Sequence, residues 1–201
     1  MSPFTYDYSQ RQGNQTDALQ DFELCIATES EAAAVEVLKM HPEQYKVLPD
    51  IAEPNFYQPH KRNASRFHQI STEDGLELHL VTDARMGLTL GPAICQRGLT
   101  SANAHPEVAA YCRNVDDYEL SSICFPTLPA FVRGWITLAL RANGAPEELV
   151  YLMQAERLID ANDVDSAWCE THFTDERQCQ EVKELLKGKR RRTIQSPSNW
   201  S

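Results

Sequence analysis

Up to Gly98 the strongest apolar patterns alternate as in half-buried strands, whereas beyond it they recur with a helical period. A chain with strands gathered first and helices gathered afterwards is expected to fold as α+β. The expected layout is a small, mainly antiparallel sheet, β-α-β-β-β, over residues 19–98, followed by a helical half over 99–187. At 201 residues there is apolar material for one good core, so 19–187 reads as a single domain. It is flanked by a loose polar segment, 1–18, and a basic, disordered tail, 188–201.

Within the first half, Phe22, Leu24 and Ile26 alternate toward one side of a strand. Thr28-Glu-Ser-Glu31 then has the form of a capping box, opening a helix over 29–40 that His41-Pro42 ends. A proline-punctuated loop (Pro49, Pro54, Pro59) follows. The segments 66–72 and 76–82 flank Glu73-Asp74-Gly75, which suits a three-residue hairpin loop. That register pairs Ile70 with Leu78 and His68 with Leu80, placing Ile70 on the leucine face and His79 on the other. A further strand is expected over 88–95.

In the second half, helices are expected over 106–113, from Thr127 to Asn143, from Pro146 to Ala161, over 164–173, and from a Thr174 cap to Gly188. Arg133, Thr137 and Arg141 make the narrow polar stripe of an otherwise apolar helix.

Catalytic patterns are sparse. His68 and His79 stand in similar tetrapeptides, but the expected register separates them to opposite faces. Cys169 and His172 share a helix face, with Cys179 one segment on, yet three ligands fall short of a structural zinc site. Cys95, at a strand end beside the cationic Arg97, is the best-placed candidate nucleophile, and it supports the alternative of a cysteine-dependent hydrolase or transferase. Phosphate-loop, dinucleotide, nucleophile-elbow and His-Glu-x-x-His motifs are absent. No cofactor is implied.

Charge is more informative. The net charge is −10, and setting aside Lys187, Lys189, Arg190, Arg191 and Arg192 takes it to −15. Glu147, Glu148, Glu156, Asp160, Asp163, Asp165, Glu170, Asp175 and Glu176 lie in the acidic helical region that leads into this basic run. The pattern suits a non-enzymatic, intracellular binding protein, an inhibitor or regulatory adaptor that engages a basic protein surface. A nucleic-acid-binding protein is one such partner. Direct contact with nucleic acid is disfavoured except through the basic tail, because the acidic body repels phosphates. Neither an export signal nor a membrane span is apparent, so the six cysteines are expected reduced and the location cytoplasmic, or nuclear in a eukaryotic cell.

Overall fold

The computed structural model describes residues 2–4, 21–50, 52, 54–70, 76–90, 99–101 and 124–195. The chain divides into two compact units, Met1–Phe125 and Pro126–Ser201. The sequence pattern suggests one domain whose halves meet at 98 and 99, but short strands still occur after Gly98. The architecture is α+β: a mixed sheet in the first unit and helices in the second.

The sheet has five strands: β1 (Ser2–Phe4), β2 (Asp21–Ile26), β3 (Tyr45–Leu48), β4 (Ser65–Gln69) and β5 (Glu77–Thr82), in the order β1-β2-β5-β4-β3. All neighbours are antiparallel except β2 and β5, which run parallel. A parallel pair needs a long crossover. Here α1 (Glu31–Lys39), β3 and β4 lie in the connection. β1 occupies part of the 1–18 segment whose composition suggests looseness; it pairs with the free edge of β2. β3 is absent from the expected layout. Conversely, Leu88–Leu90 forms no strand, and the rest of the strand expected there, with Cys95 and Arg97, lies outside the described residues, as does the helix expected over 106–113.

The hairpin exists, but its register differs by three residues. Phe67, not Ile70, stands opposite Leu78, and Ser65 stands opposite Leu80. Gln69 N donates to Leu76 O at 2.9 Å, so the connection spans 70–75 instead of 73–75. An odd shift reverses every side chain. Phe67 therefore enters the core with Ile26, Leu78 and Leu80, covered by Ala34, Val35 and Leu38 of α1, while Ile70 is half exposed. A phenyl ring in that layer removes more apolar area from water than the isoleucine would.

Thr28 does not close a capping box. Its hydroxyl donates instead to Asp83 Oδ1 at 2.6 Å, and its amide to the same oxygen at 3.1 Å. Asp83 also accepts from Ala84 N and Leu90 N, both at 2.8 Å. This buried carboxylate thus ties the end of β2 to the turn after β5.

β6 (Leu99–Ser101) and β7 (Cys124–Pro126) form a separate two-stranded ladder. The second unit comprises α2 (Leu128–Ala142), α3 (Pro146–Ala161), α4 (Ser166–His172) and α5 (Glu176–Gln195). Val132, Trp135, Ile136, Ala139, Val150 and Ile159 are buried in it, and the Trp135 and Tyr151 rings stack between α2 and α3 at 6.0 Å. Asn143 and Gly144 turn the chain with positive φ values of 32° and 87°. A Cβ at position 144 would meet nothing within 4 Å, so the left-handed backbone alone explains the glycine. Asp175, not Thr174, caps α5, its Oδ1 accepting from Gln178 N at 2.9 Å. α5 also runs through Gly188 to Gln195, so the basic run begins as helix and not as a disordered tail.

Candidate functional site

Two charged regions stand out, one in each unit. The first is the sheet face opposite α1. The observed pairing puts Glu23 beside His79, His79 beside Arg66, and Glu77 beside His68. His68 and His79 therefore share a face, contrary to the separation that the expected register implies. The turn Pro59–Lys61 brings an imidazole and an ammonium to Glu23. The Lys61 ammonium lies 2.8 Å from Glu23 Oε1 and His60 Nε2 lies 3.1 Å from Oε2. Lys61 is 1 % exposed and His60 7 %. Beside them Glu77 Oε2 accepts from the Arg66 guanidinium at 2.5 Å and lies 3.3 Å from His79 Nε2. A second Arg66 nitrogen donates to Pro49 O at 3.0 Å.

Burial alone would raise the Glu23 carboxyl; the bonds and charges of His60 and Lys61 outweigh it and hold the group down at about 2. Burial is likewise opposed at Glu77 by Arg66 and His79, and its carboxyl is lowered. Because the folded value at Glu23 lies below its ordinary 4.5, the carboxylate stabilises the fold fully above about pH 4.5. That contribution, about 3 kcal/mol, is lost as pH falls toward 2. Unfolding followed by circular dichroism between pH 6 and 2 should show this acid loss, and Glu23→Gln should remove most of its slope. A slope unchanged by the substitution would assign it to other carboxylates.

The imidazoles of His60 and His79 are buried, and the Nε2 of each faces a carboxylate. The described buried thiols do not suit nucleophilic work. Burial pushes Cys25 up to about 12, with Asp83 and Glu23 adding to it, and burial with Cys179 nearby pushes Cys169 up to about 11. His172 packs on the Trp168 ring at 5.1 Å. No group of three or more metal-binding side chains occurs among the described residues.

The second region is the acidic part of the helical unit. From 160 to 176 the sequence has six acids, Asp160, Asp163, Asp165, Glu170, Asp175 and Glu176, and no lysine or arginine. All six are exposed, whereas Glu147, Glu148 and Glu156 are half buried on α3. Some have local tasks as well. Asp165 caps α4 by accepting from Trp168 N at 2.8 Å, Glu170 pairs with Lys183 at 2.8 Å, and Glu148 accepts from Gly144 N.

Among the cations of this unit, Arg133 and Lys189 go to helix ends. Arg133 donates to His172 O at 2.6 Å, at the C-terminus of α4, and lies 5.6 Å from the centre of the Phe173 ring. Lys187 pairs with Glu184 at 2.6 Å. Lys189 reaches the C-terminus of α3. Sequence reasoning missed the Glu23 cluster because its partners are 37 and 38 positions away; only the odd-position polar residue in β2 hinted at it. Among the described residues no helix is long and apolar enough to cross a membrane. The sequence matches no protein-family model, and no curated protein and no solved structure shows significant similarity to the chain.

Proposed function

We propose that the chain is a binding protein, an inhibitor or regulatory adaptor, whose helical unit engages a basic protein surface. The observation that carries this reading is the run from 160 to 176, with six exposed acids and no lysine or arginine among them. Charges of one sign gathered on the α3–α4 and α4–α5 connections steer a cationic partner during encounter. A protein that itself binds nucleic acid is a suitable partner, since its basic face is built to meet closely spaced negative charges.

Binding of a Lys/Arg-rich peptide, followed by fluorescence anisotropy, should weaken by about tenfold or more between about 50 and about 300 mM salt. Asp160→Asn with Asp163→Asn and Glu176→Gln should reproduce much of that loss at low salt. Neutralising three exposed acids of the sheet unit, Glu29, Glu36 and Glu43, changes net charge equally and should leave affinity nearly unaltered. Equal effects of the two triple variants would reduce the attraction to net charge and sink a defined surface.

A further inference from the structure

The two features of opposite sign meet at one corner of the helical unit. The Lys189 ammonium donates to Ile159 O at 2.9 Å and to Asn162 O at 2.6 Å. These carbonyls end α3, where the helix dipole is negative, and each also accepts a backbone amide, Ile159 O from Asn162 N at 3.3 Å and Asn162 O from Val164 N at 3.1 Å. The Asn162 side-chain amide closes the neighbouring carbonyl of Leu158 at 2.7 Å. Asp160 and Asp163, both exposed, flank the corner. The corner thus already holds one alkylammonium group, that of Lys189.

The sequence that delivers this ammonium favours a helix less than the rest of α5 does: after Leu186 come Gly188, a poor helix former, and a run rich in lysine and arginine with no acid to offset it.

We infer that the corner formed by Ile159, Asp160, Asn162 and Asp163 is the ammonium-binding part of the acidic surface, occupied in cis by Lys189. A basic partner then gains full access by displacing the last turns of α5. This rests on the binding reading above and adds its regulation: the chain's own basic segment competes with the partner.

The test uses the full chain, a labelled Lys/Arg-rich peptide as probe, and Lys189→Gln. Lys46→Gln removes one exposed charge from the sheet unit and serves as control. Lys189→Gln should bind the probe about tenfold more tightly than the full chain, the size expected for a cation at a helix terminus. Lys46→Gln should stay within about twofold. In the full chain the probe should also speed amide hydrogen exchange over 188–195. Lys189→Arg, which keeps the charge, should bind like the full chain; tighter binding by both position-189 variants would indicate a loosened fold and overturn the inference. Equal affinities for Lys189→Gln and Lys46→Gln overturn the cis occupancy alone. A failure of every version to bind the probe overturns the binding reading itself, and the regulation with it.

Discussion

Lys61→Ala should lower the unfolding free energy by about 3–5 kcal/mol, the range expected when one member of a buried ion pair is removed. The ammonium is almost wholly enclosed and sits 2.8 Å from Glu23 Oε1. Removing it strands a carboxylate in a partly desolvated layer, with His60 as the other partner shown for it among the described residues. Desolvating two charges is itself expensive, so the pair need not be a large net gain over an apolar replacement. Glu23→Gln combined with Lys61→Met should cost clearly less than the two single substitutions added together, because neither charge is left alone. Urea unfolding of the four proteins gives the cycle. A Lys61→Ala cost below about 1 kcal/mol, or strict additivity, would show that the two charges do not depend on each other.

Phe67→Ala should cost about 3–5 kcal/mol, whereas Ile70→Ala should lie within about 0.5 kcal/mol of the parent. The contrast follows from the register. Phe67 is 1 % exposed and touches the layer of Ile26, Leu78 and Leu80; Ile70 is 50 % exposed beyond the end of β4. The tight three-residue loop that Glu73-Asp74-Gly75 invites would exchange these roles, burying Ile70 and exposing Phe67. Denaturant midpoints of the two variants decide between the registers, and a large loss at Ile70 with a small one at Phe67 would overturn the observed pairing.

That exchange shows where the sequence was legible and where it was not. Elements whose ends are set by local chemistry can be read directly. Pro146 at the first position of α3, and Asn143-Gly144 at the end of α2, need nothing beyond their neighbours in sequence. The alternation of Phe22, Leu24 and Ile26 likewise shows which side of β2 faces the core. Register is different. A turn signal of three residues competes with the burial of a phenyl ring, and the ring wins because it removes more apolar area from water. β3 is only four residues long, too short to declare itself by alternation.

The candidate surfaces divide the same way. The exposed acids between 160 and 176 follow from composition, but their local tasks do not. Asp165 caps α4, and Arg133 goes to a helix end 39 positions away. The Glu23, His60 and Lys61 cluster could not be read from a line of residues at all, because the crossover between β2 and β5 assembles it. The basic run looked separate for a related reason. Its contact with α3 joins positions 30 and 27 residues apart.

The parallel pairing of β2 with β5 also sets the order in which the protein can assemble as it is made. β5 is the hub of the sheet, with a near neighbour in β4 and a distant one in β2, where Glu23 meets His79. During synthesis β2 leaves the ribosome before its central partner, which emerges more than fifty residues later. For that interval Leu24 and Ile26 have no lasting cover beyond α1, and the ladder with Ser2–Phe4 is all that can occupy one edge. Chaperone engagement of the nascent chain is therefore expected to peak before residue 82 is exposed and to fall once β5 can dock.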